Sequence, residues 1–413
     1  MACAQVLLLE NIHLSANDAF EEHKVAIHRR SGSLCESELL KTVEALKKDL
    51  PCMLGIRSKT QLNANFITSI PNLIAIGAFC IGTDQIDLDA AGARGIPVFN
   101  APFSNTRSVA ELVLGELIML SRKISVRNDE VHRGIWEKTA VGSHEIRGKT
   151  LGIVGYGHIG SQLSVLAESM GLRVLYFDIL SKLPLGNATS CATLPELIAS
   201  SHFISLHVPD TQVTRNLIGY HELAAMQSGS YLINASRGQV VDLEALRQHI
   251  QNGHIAGAAI DVFPTEPTHS SQPFKCILQE LPNVILTPHI GGSTEEAQAS
   301  IGREVSQYLC GFLRYGTTTG NHTLPELDIA PLRTGCRLIH VHQNVPGVLS
   351  AVNGLIADAK LNVEAQHLGT KNNLGLLSVD LAVSNTESKV IQLRRKVSEL
   401  PSSIRTVLLA NHS

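Results

Sequence analysis

At 413 residues, 44% hydrophobic and 17% charged, the chain has the composition of a globular protein and material for two or three cores. A formal charge of −3 gives no reason to expect a nucleic-acid or anionic-membrane partner. Eight cysteines are scattered without a C-x-x-C pair, which reads as a reduced, cytoplasmic protein with no disulfide framework and no metal site.

The first apolar run, Val6–Leu9, has no basic leader before it and reads as a strand, not a signal peptide. Met53–Ile56, Leu73–Ile76 and Pro97–Phe99 extend the same set. A helix is expected to open near Ser108, with Glu111 at capping-box spacing, and to run towards Ser121. Its apolar stretch Leu112–Leu120 is interrupted by Glu116 and is too short to span a bilayer. A second set of runs follows: Gly152–Val154, Val174–Phe177, Phe203–Val208, Leu232–Ile233, Ala258–Ile260 and Val284–Leu286. Runs apolar throughout fit strands covered by helices on both faces, so the pattern predicts two doubly wound, parallel-sheet α/β domains.

Ile290-Gly291-Gly292-Ser293 leads into a helical pattern, Thr294–Arg314, which is expected to return to the first domain. Gly316–Gly335 shows no periodicity and reads as a linker. Beyond it the order is strand (Leu338–His342), helix (Val348–Ala359), strand (Val363–Leu368), strand (Leu376–Val383), helix (Lys389–Leu400), strand (Ile404–Leu409), a ferredoxin-like βαββαβ unit.

Gly155-Tyr156-Gly157-His158-Ile159-Gly160 follows a strand and opens a helix, and the next strand ends in Asp178. The first glycine permits the tight turn, the second lets backbone approach a pyrophosphate, and the third allows helix–strand packing. A carboxylate at Asp178 accepts from ribose hydroxyls and repels a 2′-phosphate. No arginine directly follows it, so the expected cofactor is NAD and not NADP.

Three more strand ends carry polar residues: Asn234-Ala235-Ser236-Arg237-Gly238, Asp261-Val262-Phe263-Pro264-Thr265-Glu266-Pro267 and Thr287-Pro288-His289-Ile290-Gly291-Gly292. In an open α/β sheet such ends converge on the ligand. Hydride transfer from an alcohol needs a group to carry the hydroxyl proton, a carboxylate to orient it and a cation for the substrate carboxylate. His289, Glu266 and Arg237 supply these functions. His207 also ends a strand and is the rival histidine, read here as part of the cofactor wall.

Together these segments resemble the D-2-hydroxyacid dehydrogenase family, and within it the bacterial branch that acts on 3-phospho-D-glycerate. The likeness takes in G-I-R-S-K-T, F-C-I-G-T-D-Q-I-D-L-D-A-A and F-N-A-P-F-S-N-T-R-S-V-A-E-L, and runs from about Val6 to the C-terminus. It implies catalysis by Arg237, Glu266 and His289, and NAD contacts at His158, Ile159, Asp178, Ala235, Ser236, Asp261, Gly291 and Gly292, with Arg57, Ser58 and Lys59 on the substrate phosphate. Lys59 stands where the family has arginine, keeping the charge without the bidentate fork. The implied reaction is NAD-dependent oxidation of 3-phosphoglycerate, the first step of serine biosynthesis. A second carboxylate could take the phosphate's place, which makes 2-oxoglutarate an expected side substrate.

The C-terminal unit resembles an ACT domain, which implies feedback inhibition by L-serine bound through His342, Asn344 and Asn362 between two subunits of a homotetramer. The first domain is expected to close over the substrate. Val345, where arginine is common, and the single Gly335 in Arg333-Thr334-Gly335-Cys336 depart from the pattern and bear on regulation. The expected divisions are 1–104 (substrate binding), 105–291 (NAD binding), 292–333 (return segment and linker) and 334–413 (ACT). Two alternatives stay open: a reductase of unphosphorylated acids such as glyoxylate or hydroxypyruvate, and an NAD-sensing interaction protein on the same fold.

Overall fold

The apolar runs Val6–Leu9, Met53–Ile56, Gly152–Val154 and Leu232–Ile233 fold into strands buried on both faces, as their lack of alternation predicts, whereas Val284–Leu286 at a sheet edge is only partly buried. The structure, a computed structural model, describes residues 2–267, 272–332 and 334–410. Arg333, part of the expected linker, lies outside the described residues, as do 268–271 and 411–413. The chain divides into two units, 1–104 with 298–413, and 105–297.

The first unit opens with β1 (Ala4–Leu8), α1 (Ala16–Glu22), β2 (Val25–Arg29), α2 (Glu36–Glu44), β3 (Cys52–Ile56), α3 (Ala64–Ser69), β4 (Leu73–Ala78), α4 (Leu88–Ala93) and β5 (Val98–Asn100). They build a parallel sheet of order β2-β1-β3-β4-β5. Strand β2 escaped the sequence reading because it is an edge strand carrying His28 and Arg29, and only Val25 is buried.

The second unit holds α5 (Thr106–Ser121), α6 (Ile124–His132), β6 (Thr150–Val154), α7 (His158–Ser169), β7 (Arg173–Phe177), β8 (Thr189–Ser190), α8 (Leu194–Ser200), β9 (Phe203–Leu206), α9 (Tyr220–Ala225), β10 (Ser230–Asn234), α10 (Leu243–Gln251), β11 (Ile255–Ile260) and β12 (Val284–Leu286). Its parallel sheet has the order β12-β11-β10-β9-β6-β7-β8, with the strand order reversing between β6 and β9, the place where such sheets bind nucleotides. Helices cover both faces in two apolar layers, one centred on Leu197, Ile204 and Leu246 and the other on Val113, Leu117 and Leu163. The start of α5 differs from expectation. Glu111 is engaged by Arg107 at 2.5 Å, and the Ser108 hydroxyl bonds that of Thr294 at 2.9 Å, so no capping box forms there.

Helix α11 (Glu295–Tyr315) lays Ile301, Val305 and Leu309 into the same apolar cluster as Ala4, Val6 and Phe20 of the first unit. Then come β13 (Cys336–Gln343), α12 (Val348–Asp358), β14 (Val363–Lys371), β15 (Leu374–Leu381), α13 (Ser388–Ser398) and β16 (Ser403–Ala410), a βαββαβ unit with the antiparallel order β14-β15-β13-β16. The fold is thus two Rossmann-like parallel sheets and a ferredoxin-like antiparallel one. Gly335, at φ 69°, is required where it stands, because a Cβ would collide with the Leu381 carbonyl. Arg337, 2% exposed, makes a bidentate pair with Asp380 at 2.5 and 2.7 Å and donates to the carbonyls of Tyr315 and Ala330. One guanidinium therefore ties the antiparallel sheet to the end of α11 and to the linker.

Candidate active site

The glycine turn between β6 and α7 is built for close approach. Gly155 has φ 92°, and a Cβ there would strike the His207 carbonyl. A Cβ at Gly160 would strike the Gly155 carbonyl, so that glycine seats α7 against the turn. Gly157 is exposed with open space beside it, and His158 and Ile159 open α7 directly after it, which puts the positive end of the helix at the turn. Asp178, just beyond β7, is held by the amides of Tyr156 at 2.8 Å and Leu180 at 2.9 Å. Its carboxylate is thereby fixed beside the turn with lone pairs to spare. These residues fit a dinucleotide: a cradle without side chains, a helix N-terminus and an oriented acid at one end.

Beyond β10, the Asn234 amide side chain shapes the polar segment. Its oxygen accepts from the Ser236 amide and hydroxyl, and its nitrogen donates to the Arg237 carbonyl at 3.0 Å. Arg237 is half-buried and donates to the Ser236 carbonyl at 2.8 Å, while Ala235 is partly exposed beside it. Beyond β11, Asp261 is 1% exposed. Its carboxylate accepts from the Thr287 hydroxyl at 2.6 Å and from the amides of Ile290 and Gly291 at 2.8 Å each. Asp261 thus holds the turn that follows β12. On that turn His289 sits at φ 55°, in the left-handed region a non-glycine residue rarely adopts. Its amide donates to the Asp261 carbonyl at 2.8 Å, and the conformation aims the ring at Glu266. Gly292, partly buried, leaves no room for a Cβ against Asn105.

His289 Nδ1 lies 2.9 Å from Glu266 Oε2, and Glu266 Oε1 accepts from the Phe263 amide at 3.1 Å. The hydrogen bond to Glu266 raises the His289 pKa above the ordinary imidazole value, against the opposing effect of burial. Burial pushes Glu266 up, but the bond from His289, its charge, the Phe263 amide and the Arg237 charge together carry it below the usual carboxylate range. With Nδ1 committed to Glu266, Nε2 is the nitrogen left for a substrate.

The rival histidine is physically different. His207 bonds Ser205 through Nε2 at 2.9 Å, its Nδ1 is buried without a partner, and burial pushes its pKa down to about 4. It is a neutral ring at physiological pH, with no carboxylate to support a proton. Sequence reasoning missed Glu116 of α5, which registered only as an interruption. It is 2% exposed with neither carboxyl oxygen partnered, and burial, aided by the Asp261 charge, pushes its pKa up to about 8. Glu10 was missed too: it is 7% exposed, and its carboxylate accepts from the amides of Lys59 at 3.0 Å and Thr60 at 2.8 Å.

In the first unit, Glu10 and the Gln85 amide, which donates to the Arg57 carbonyl at 2.6 Å, fix the turn Arg57-Ser58-Lys59 beyond β3. Among the described residues neither Arg57 nor Lys59 makes an ion pair, so both charges remain available. In the antiparallel sheet, His342 is buried against Gly375 and its Nδ1 bonds the Gln343 carbonyl at 2.8 Å. Asn344 follows at the same end, its amide donating to the Asn373 carbonyl. Asn362 sits at the other end, where β14 starts opposite Leu381. From His342 to Cys336, the residue of β13 level with Leu381, the strand runs six residues, about 20 Å at ~3.4 Å per residue.

Residues 114–291 match the family model described as the NAD binding domain of D-isomer specific 2-hydroxyacid dehydrogenases, and residues 338–405 match an AHAS small subunit-like ACT domain. The chain is 48% identical over 405 residues to D-3-phosphoglycerate dehydrogenase of Dictyostelium discoideum, covering 98% of this chain and 97% of that one. The same identity and coverage relate it to the enzyme of that name from Escherichia coli K12. Among solved structures it is similar to a D-lactate dehydrogenase from Aquifex aeolicus complexed with NAD and lactic acid, at a TM-score of 0.62 and 26% identity, over 74% of this chain and 95% of that one. The likeness to the two curated enzymes spans both parallel sheets and the antiparallel one, and the chain belongs to the D-3-phosphoglycerate dehydrogenase family.

Proposed function

We propose that the protein oxidises 3-phospho-D-glycerate to 3-phosphooxypyruvate with NAD, as the first step of L-serine synthesis. The observation that carries this reading is the His289–Glu266 pair beside Arg237 at the carboxyl ends of β10, β11 and β12, in a chain 48% identical to named phosphoglycerate dehydrogenases. NAD, when bound, supplies the acceptor for the hydride that leaves C2 of the substrate. The residues that would hold it are Gly155, Gly157, His158, Ile159 and Gly160 for the pyrophosphate, Asp178 for the ribose, and His207, Ala235, Ser236, Asp261, Gly291 and Gly292 for the remainder. His289 Nε2 takes the C2 hydroxyl proton. Glu266 holds the ring through Nδ1 and stabilises the imidazolium that forms. Arg237 pairs with the substrate carboxylate and polarises the oxygen that becomes the ketone.

Arg57, Ser58 and Lys59 take the phosphate, two unpaired cations and a hydroxyl being suited to it. L-serine binds through His342, Asn344 and Asn362. Because the last lies at the opposite end of the sheet from the other two, a site using all three needs two copies of the domain, consistent with a homotetramer. Eight free cysteines suit a cytoplasmic enzyme. A steady-state assay with NAD and 3-phosphoglycerate, D-glycerate or D-lactate, with and without L-serine, tests the proposal. Turnover confined to the phosphorylated acid and lowered by serine is expected. Faster turnover of D-glycerate or D-lactate would overturn the substrate assignment, and indifference to serine would overturn the regulatory one.

A further inference from the structure

Away from all of these residues, the first unit contains a cavity of about 220 Å³ between the amino-terminal ends of β1, β3 and β4, the end of α11 and the edge strand β16. Ile74, Phe312, Val407 and Leu409 make its walls apolar, and no carboxylate lines it among the described residues. Arg405 projects from β16 into this setting. One of its nitrogens donates to the Leu73 carbonyl at 3.0 Å, and among the described residues the guanidinium has no other hydrogen bond and no ion pair. The charge that acts on it is of the same sign: Arg94, itself bound to the carbonyls of Ile67, Ile70 and Pro71. Burial, followed by the Arg94 charge, pushes the Arg405 pKa down to about 10. Arg314 adds a second positive charge to the wall. A half-buried guanidinium with one carbonyl acceptor and a like-charged neighbour, lining a cavity without a carboxylate, leaves donors and a positive charge that an anion in the cavity would satisfy.

We propose that this cavity binds a small organic carboxylate with a compact apolar body, its carboxylate on Arg405 and its hydrocarbon against Ile74, Phe312, Val407 and Leu409. The volume lies below the ~300–1,000 Å³ of drug-sized sites, which excludes a nucleotide and suits a ligand of a few carbons. The site is separate from His342, Asn344 and Asn362. It joins the antiparallel sheet to the amino ends of the first parallel sheet, whose carboxyl ends carry Arg57-Ser58-Lys59, so an occupant would act as a clamp within this unit.

The probe is 4-methylpentanoate, with 4-methylpentanamide as its neutral isostere. Two readouts are followed, the probe-dependent rise in melting temperature and the alkylation rate of Cys3, which also lines the cavity, mapped by peptide mass spectrometry. The carboxylate is expected to raise the melting temperature saturably and to slow labelling of Cys3, the amide to do neither. Arg405→Gln should weaken carboxylate binding about tenfold or more, the worth of one bidentate charged pair. Val407→Phe keeps the cation and fills the space, and should abolish protection even where Arg405→Gln folds poorly. No effect of 4-methylpentanoate on the intact protein, equal protection by the amide, or unchanged binding in either variant would overturn the proposal. Turnover enters neither readout, so the outcome is independent of the dehydrogenase assignment.

Discussion

Glu116 supplies a quantitative test of how the second unit is held together. Its carboxyl is enclosed by α5 and an apolar layer, and its folded pKa of about 8 stands well above the reference of 4.5. Below pH 4.5 both folded and unfolded chains carry the proton, and the group is neutral to stability. As pH rises the unfolded chain ionises while the folded one keeps its proton, so stability is lost progressively up to the folded pKa and is constant above it. At about 1.4 kcal/mol per pH unit, the deficit is about 3 kcal/mol at pH 7 and roughly 5 kcal/mol at pH 9. Glu116→Gln keeps the shape and the unpartnered polar group but cannot ionise. The variant should therefore match the wild type near pH 4.5 and exceed it by these amounts at pH 7 and 9. Native-state hydrogen exchange in α5 and β11, measured at the three pH values, isolates this unit from the rest of the chain. A difference between the two proteins that does not change with pH would refute the reasoning.

Four further outcomes are expected. Glu266→Gln removes the anion that raises the His289 pKa, so the acid limb of kcat for alcohol oxidation should move to lower pH, with turnover falling about 10–100-fold; a limb that stays put would separate the two residues. Gly160→Ala places a methyl against the Gly155 carbonyl and should weaken NAD binding at least about tenfold by fluorescence titration while leaving the first unit's hydrogen exchange unchanged. Arg57→Met should raise KM for 3-phosphoglycerate about tenfold or more with little change in kcat, the signature of a group that binds ground and transition states alike. Arg337→Met strands Asp380 and frees the carbonyls of Tyr315 and Ala330, and should cost about 3–5 kcal/mol, read as early loss of exchange protection in β13 and β15.

What could be read from the sequence follows from where each signal is stored. Strands such as β1, β3 and β6 are buried at every residue, and an unbroken apolar run announces them. Edge strand β2 buries only Val25 of its five residues and exposes His28, so it offers neither an unbroken apolar run nor a period. Local chemistry misled at α5, where Ser108 and Glu111 have capping-box spacing but are claimed by Thr294 and Arg107.

The candidate site was legible because a parallel sheet delivers its loops to one end, so polar residues after apolar strands can be pooled without knowing the contacts. That rule does not choose between His289 and His207, which both follow strands. The choice rests on a carboxylate arriving from a different loop, and on the desolvation that leaves His207 unable to hold a proton. Glu10 and Asp261 illustrate the same limit. Each is a buried acid whose carboxylate is spent on backbone amides, and each holds the turn that presents a charged residue: Lys59 in one case and His289 in the other. Their signal is an acid just past an apolar strand, which is also what a catalytic acid looks like. Only the count of donors around the carboxylate separates support from chemistry, and that count is a property of the fold. Arg405 is the converse case, a cation whose donors outnumber the acceptors the described residues bring to it. The accounting that finds the Asp261 carboxylate spent on its own turn finds Arg405 with donors left over for the proposed carboxylate.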